Sequence, residues 1–255
     1  MQTVIFLTTR TSATGSMWRT IRTLAGKSYN FVTSDSISQG YLGEQRKDVL
    51  EKYEIPKNDT IVFWNATEFF SDQQDLSGFK FIVNARDPRD LVVNRYWWEF
   101  SHPKPGKTPE QIEARHQEMR ELGLEGYVLR NRYTADFDSL RKIVPQLNGS
   151  DWTFVGYALY CLHFDDAISK IASILNVDLT KLTAKQRELI DAERAENLLT
   201  NARWVHKDWP GADRAPGRHK QELSPATVEK LTKRYEAILE FLKGIEDPRL
   251  RHYYD

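Results

Sequence analysis

"FKFIVNARDPRDLVVNRYWW", residues 79–98, decides how the chain is read. Its first part, Phe79 to Ala85, is a short apolar run of the kind that forms a strand buried on both faces. Asp87 and Pro88 then supply a good N-cap and first helical residue, with Asp90 at the third helical position. A strand therefore passes into a helix at Arg86. On that helix Asp90 and Asn94 fall one turn apart on one face, with Arg86 close by at the strand tip. Arginine grips a phosphate with a planar fork, and a nearby amide donor completes the grip. The same charges, Arg86, Asp87, Arg89 and Asp90, also fit a cluster of solvated surface ion pairs.

The strand-then-helix unit recurs on either side. "VIFL" (4–7) stops in "TTRTSATGS", and "MWRTIRTLAG" follows with helical spacing and a terminal glycine. "YNFVTS" (29–34) and "TIVFWN" (60–65) are two more strands, with "GEQRKDVLEKYEI" as a helix between them, and "WTFVGYALYC" (152–161) is a fifth strand. Strands alternating with helices predict an α/β fold, a central parallel sheet flanked by helices, with ligands at the carboxyl ends of the strands. The later chain is mostly helical: "TPEQIEARHQEMRELGLEGYVLRNRY", "DDAISKIASILNV" and "TAKQRELIDAERAENLL", the last with Thr183 and Gln186 at capping-box spacing. Ser224 and Pro225 open a final helix on which Val228, Leu231, Tyr235, Ile238 and Leu242 make one apolar stripe. The expected organisation is a single domain over 1–255, with a largely helical portion around 106–200.

Lys plus Arg equal Asp plus Glu at 36 each over 255 residues, so no overall field favours nucleic acid or an anionic membrane. An anion site must be local. A single cysteine, Cys161, excludes an internal disulfide and a cysteine-based metal cluster and suits a reducing compartment. The start "MQTVIFLTT" lacks a basic leader, and no segment is apolar for the length of a membrane span, so a cytoplasmic protein is expected. Nothing in the sequence chooses an oligomeric state.

Three stretches suit anion chemistry. "TTRTSATGSMW" is a loop of small residues before a helix, which aims free backbone N–H groups and the positive helix end at one point. Ser16 and Met17 follow Gly15, so the lysine and magnesium-binding hydroxyl of a nucleoside triphosphatase are missing. The second stretch is 79–98 itself. The third, "RAPGRHKQEL" (214–223), places Arg214, Arg218, His219 and Lys220 on a loop before the final helix, either as an anion grip or as a basic surface loop.

In this order the three resemble the sulfotransferases that use 3′-phosphoadenosine 5′-phosphosulfate (PAPS). In that family a first strand leads into Pro-Lys/Arg-Ser-Gly-Thr-Thr-Trp, a later strand ends in Arg-x-Pro-Arg/Lys-Asp-x-x-x-Ser-x-Tyr, and a late loop reads Gly-x-Trp-Lys/Arg. Here "ARDPRDLVVNRYWW" is similar to the second motif at Arg86, Pro88, Arg89, Asp90 and Tyr96, with Asn94 at the serine position. Thr14, Gly15, Ser16, Met17 and Trp18 resemble the first motif, and Gly217, Arg218, His219 and Lys220 the third, with His219 at the tryptophan. Ala13 stands where the family has its loop cation, and Arg10 is the cation available if the loop is longer than usual.

The resemblance implies a P-loop-like sulfotransferase fold and transfer of a sulfuryl group from PAPS to a hydroxyl or amine of a small-molecule or carbohydrate acceptor, leaving PAP and needing no metal. Arg10 and the amides of Gly15 to Trp18 would stabilise the leaving group; Arg86 and Asn94, helped by Arg218 and Arg214, would anchor the 3′-phosphate. Trp18 either stacks on adenine or packs in the core. The resemblance places a base near the third strand, where Glu68 is the nearest group, with His102 and Asp35 as rivals. The alternatives are a phosphate-loop kinase or nucleotidase and a non-catalytic PAP(S)-binding protein, the second favoured by Ala13.

Overall fold

The computed structural model describes residues 2–33, 59–66, 76, 78–101, 106–149, 151–197 and 215–255, and the helix expected at 43–55 lies outside them. Five described strands, β1 (Thr3–Thr8), β2 (Asn30–Thr33), β3 (Thr60–Asn65), β4 (Phe79–Asn84) and β5 (Trp152–Phe154), form one parallel sheet in the order β2-β3-β1-β4-β5. Every residue of β1 is buried, as a central strand covered on both faces requires.

Alternation along the strands divides the core in two. Ile5, Leu7, Val62, Phe81 and Val83 face α2 (Pro88–Ser101), α3 (Pro109–Arg130), α4 (Ala135–Ile143) and the long C-terminal helix, which supply Leu91, Tyr127, Leu140 and Leu231. Val4, Phe6, Ile61 and Ile82 face α1 (Thr14–Ala25), α5 (Tyr157–Leu162), α6 (Phe164–Leu175) and α7 (Ala184–Asp191) through Met17, Leu159, Ile171 and Ile190. A short helix, α8 (His219–Glu222), leads into the C-terminal helix α9 (Pro225–Ile245).

The expected caps are in place. The Thr183 side chain and Gln186 close a capping box, and the Ser224 hydroxyl accepts from the Thr227 amide with Pro225 in the first turn. Leu231, Tyr235, Ile238 and Leu242 are buried on one stripe of α9.

Two expectations are corrected, and one helix is new. The strand read over 152–161 ends at Phe154, where Gly156 turns the chain into α5. A Cβ at Gly156 would lie 2.0 Å from Glu246 Oε2, so this turn is packed too closely for a side chain, and an apolar run hides the change of period. The helix read over 183–199 stops at Asp191, because the next turn points Glu193 inward to full burial. Helix α4 was not anticipated; its apolar face is only Phe137, Leu140 and Ile143, too short a pattern to stand out.

Strands β1 and β4 are neighbours, with Thr8 opposite Asn84 at their carboxyl ends. From β1 the chain turns toward β2 and β3 on one side, while β4 and β5 lie on the other. The loops leaving β1 and β4 therefore diverge, and a crevice opens between them, where α/β sheets bind ligands.

Candidate functional site

The loop from β1 to α1 is tightly curled. Thr11 (φ 59°) and Ala13 (φ 61°) both take the left-handed conformation, which is strained for a residue with a side chain and more so for a β-branched one. The curl is tied at its base: the Thr9 amide donates to Asn84 O at 3.0 Å, the Thr8 hydroxyl to Asn84 Oδ1 at 2.7 Å, and Asn84 Nδ2 to Val155 O at 2.9 Å. It is tied at its rim by the Arg10 amide, which donates to Asp136 Oδ2 at 3.0 Å, at the start of α4.

The result is a helix start without a cap. Ala13 offers no capping side chain, and the first intrahelical N–H is that of Met17, donated to Ala13 O. The amides of Thr14, Gly15 and Ser16 thus precede the helical ladder, at the positive end of α1. The Thr11 hydroxyl, in the same curl, is buried without a hydrogen-bond partner among the described residues.

The side chains of this segment have other work. The Ser16 hydroxyl donates to Glu193 Oε2 at 2.8 Å and meets Tyr160 OH at 3.0 Å, while Arg19 donates to both Glu193 carboxylate oxygens at 2.7 Å. Met17 is wholly in the core. Trp18 is half-buried among Phe6, Phe31 and Phe63, with ring centroids 6.3, 5.9 and 5.5 Å away, so it packs against the sheet. Thr14 shares a 3.1 Å hydroxyl contact with Thr8. What stands outside the helical ladder at the start of this helix is backbone, the amides of Thr14, Gly15 and Ser16. Arg10 is exposed at the rim.

The four charges clustered at the tip of β4 are buried: Arg86 is 3% exposed, Asp87 7%, Arg89 0% and Asp90 1%. They are not surface ion pairs. Asp87 caps α2 by accepting from the Arg89 amide at 2.7 Å. Arg89 is fully engaged, donating to Asp87 Oδ2 (2.7 Å), Thr232 Oγ1 (2.9 Å) and the carbonyls of Tyr253 (3.0 Å) and Asp255 (3.0 Å).

Arg86 is the opposite case. Its guanidinium lies 4.1 Å from the centroid of the Tyr157 ring, and its Nε and Nη2 have no hydrogen-bond partner among the described residues. The nearest acid, Asp90, holds Oδ2 at 3.7 Å from Nη2, beyond hydrogen-bond range. The Asp90 carboxylate is instead claimed by the late loop, accepting from the amides of Gly217 (2.8 Å) and His219 (2.9 Å) and from His219 Nδ1 (2.6 Å). Burial alone would raise the Asp90 pKa, but the His219 hydrogen bond and the Arg86 charge bring it down to about 2. Burial pushes the Tyr157 hydroxyl far above the ordinary phenol range against the lowering effect of Arg86, so the ring stays neutral beneath the guanidinium. His219 is fully buried, and its Nε2 also lacks a hydrogen-bond partner among the described residues.

Asn94 is buried one turn beyond Asp90. Arg218 is buried and paired with Glu222, which also accepts from Trp97 Nε1 at 2.7 Å; Lys220 is exposed, and Gly217 takes φ 84°. Arg214, Glu68, His102 and Asp35 lie outside the described residues. The structure thus brings together Arg86, Asp90, Gly217 and His219, and sets them across the β1/β4 junction from the amides of residues 14–16. Asp90 and Tyr157 were not anticipated as site residues. The i, i+4 spacing of Arg86 and Asp90 was a visible signal for the first, whereas Tyr157 sat in the run misread as strand. Among the described residues no three His, Cys, Asp or Glu side chains are gathered as for a metal, and no helix is long and apolar enough to cross a membrane.

A parallel α/β sheet with an uncapped helix start, and with a buried arginine at its switch point two of whose donors lack a hydrogen-bond partner among the described residues, is an α/β arrangement suited to holding an anion. The particular fold is that of sulfotransferases. Mouse sulfotransferase SULT7A1 complexed with PAP is similar over 100% of this chain and 89% of that one, with TM-score 0.58 and 15% identity. Retinol dehydratase in complex with androsterone and inactive cofactor PAP is similar over 93% of this chain and 80% of that one (TM-score 0.57, 14% identity), and its complex with retinol and PAP over 96% and 82% (TM-score 0.55, 15% identity). No family model and no curated protein matches the sequence.

Proposed function

We propose that the protein is a PAPS-dependent sulfotransferase acting on a hydroxyl or amine of a small molecule or glycan. The observation that carries this reading is Arg86, a buried guanidinium at the end of β4 with two donors that have no hydrogen-bond partner among the described residues. Buried donors normally have partners, and an exception at the ligand-binding edge of the sheet asks for an anion to complete it.

The residues present fit a nucleotide bearing phosphates at two places. The Thr14, Gly15 and Ser16 amides would hold its 5′ end, with helix α1 adding its dipole, and Arg86 with Asn94 would hold the 3′-phosphate. When bound, PAPS supplies the sulfuryl group and a phosphate leaving group. The work of the chain is to align the acceptor, stabilise negative charge on the leaving side through the loop amides and Arg10, and remove the acceptor proton. Glu68 and His102 are the candidates for that base. Retinol dehydratase has been seen with androsterone and with retinol, which supports a small-molecule acceptor. A cytoplasmic location with the single thiol kept reduced fits this reading.

Calorimetric titration with PAP tests it first. Saturable binding without magnesium is expected, and its absence would sink the nucleotide reading. A screen with radiolabelled PAPS over phenols, alcohols, amines and sugars then separates an enzyme from a protein that only binds PAP, the outcome that Ala13 at the loop-cation position would favour.

A further inference from the structure

Two donors of the buried Arg86, Nε and Nη2, have no hydrogen-bond partner among the described residues. Asp90, four residues later in the first turn of α2, is the arginine's nearest carboxylate, and closing 3.7 Å to an ordinary hydrogen bond needs a movement of less than about 1 Å. What holds the carboxylate away is the late loop. Gly217 N binds Oδ2, while His219 N and His219 Nδ1 both bind Oδ1, the last at 2.6 Å being the shortest of the three. With Asp90 ionised, Nδ1 must be the protonated nitrogen and the donor.

We propose that His219 and Asp90 act as a positioning pair: by binding Asp90 to the 217–219 turn, His219 keeps the carboxylate off Arg86 and leaves the Arg86 donors to an incoming phosphate. The attraction of Asp90 still holds the guanidinium in place over Tyr157, so the arginine is preorganised without being neutralised by a hydrogen bond. This rests on the PAP reading and adds to it a role for His219, the residue standing where the resemblance has a tryptophan. The same pair makes competence for the nucleotide depend on the late loop being docked, because an undocked turn returns Asp90 to Arg86.

The test compares PAP binding by calorimetry in the wild type, His219→Ala, His219→Asn and the double variant His219→Ala with Asp90→Asn. His219→Ala removes the side-chain bond to Oδ1, the shortest of the three that hold Asp90, and leaves two backbone amides; the loosened carboxylate can then swing to Arg86, which should weaken PAP by about 10- to 100-fold, the effect of one charge-assisted bond lost to a competitor. His219→Asn keeps a donor near the Nδ1 position and should stay within about threefold of the wild type. Adding Asp90→Asn removes the competing charge and should recover most of the loss. A residue that merely shaped the fold would behave otherwise, since a second lesion in one network would deepen the first. An Asn variant as weak as the Ala variant, or a double variant no better than His219→Ala, overturns the proposal.

A second readout needs no nucleotide. The Arg86 guanidinium N–H resonances of the ligand-free protein, those of Nη2 above all, should move downfield and exchange more slowly in His219→Ala, as in a carboxylate-bonded guanidinium, and unchanged resonances overturn the proposal. If the wild type does not bind PAP, the nucleotide reading fails, and these resonances still decide whether His219 holds Asp90 away from Arg86.

Discussion

Replacing Arg86 by methionine separates a ligand-binding arginine from a structural one. Two buried donor nitrogens without hydrogen-bond partners among the described residues cost about 1–3 kcal/mol each in the ligand-free protein, and Arg86→Met relieves that cost. Against this, the stack over Tyr157 at 4.1 Å contributes about 0.5–2 kcal/mol, and attraction to Asp90 at 3.7 Å contributes about 4 kcal/mol at an effective dielectric of about 20. Methionine keeps the volume and restores a contact of about 0.3–1.5 kcal/mol with the ring. Asp90 retains its three donors from the late loop, so no uncompensated charge is left behind. The gains and losses nearly cancel, and chemical denaturation should show a change in stability below about 2 kcal/mol. PAP binding should meanwhile fall by about 3–6 kcal/mol, or roughly 10²- to 10⁴-fold, because two charge-assisted contacts are lost. A variant destabilised by about 3–5 kcal/mol that still binds PAP like the wild type would refute the assignment and make Arg86 an ordinary buried ion.

Arg89→Met should give the reverse pattern: every donor group it loses is engaged, Asp87 and two carbonyls are stranded, and denaturation should show a loss of about 3–5 kcal/mol; a loss below about 1 kcal/mol would be inconsistent with that network. Gly156→Ala forces a Cβ to within 2.0 Å of the Glu246 carboxylate and should lower stability by about 1–3 kcal/mol, with a lower melting temperature as the readout; an unshifted melting temperature would show that α9 and its following turn can yield. Acid titration tests Asp90. Its folded pKa of about 2 lies below its unfolded value, so its contribution of roughly 2 kcal/mol is present above about pH 4 and lost as pH falls toward 2. Asp90→Asn should flatten that limb of the stability curve, and a limb identical to that of the wild type would contradict the shift.

The legible parts of the fold were those where one residue pattern had one structural answer. Strand β3 stands at the residues predicted, and the Thr183 and Ser224 caps do what capping residues do, because each signal is local. The helix after Asp87 was legible for the same reason. The end of β5 was not. In "FVGYALYC" apolar residues serve a buried strand and a buried helix equally well, and what divides them is the approach of Glu246, ninety residues later in sequence. The site shows the same division. Arg86 could be found from its place after a strand, but its neighbours in sequence suggested a solvated cluster, since burial depends on α9 and the C-terminal turn. Where the Ser16 and Trp18 side chains go also turns on distant partners, Glu193 for the one and Phe31 and Phe63 for the other.

Two arginines three residues apart on one motif therefore have opposite fates, and the difference is one of acceptor supply. Arg89 points where the chain offers a carboxylate, a hydroxyl and two carbonyls, and that saturation ties α2 to α9 and the C-terminal turn. Arg86 points where the nearest carboxylate among the described residues, Asp90, is already bound by Gly217 and His219. A buried charge with its hydrogen bonds made is a fastener, and a buried charge with its hydrogen bonds withheld is a receptor. The fold reaches the second state by spending Asp90 on the late loop, so the segment that docks against α2 is also the one that decides whether the receptor is open. Ligand affinity and loop docking should accordingly be one equilibrium: PAP should slow amide exchange at Gly217 and His219, and that protection should vanish in Arg86→Met even at PAP concentrations that saturate the wild type.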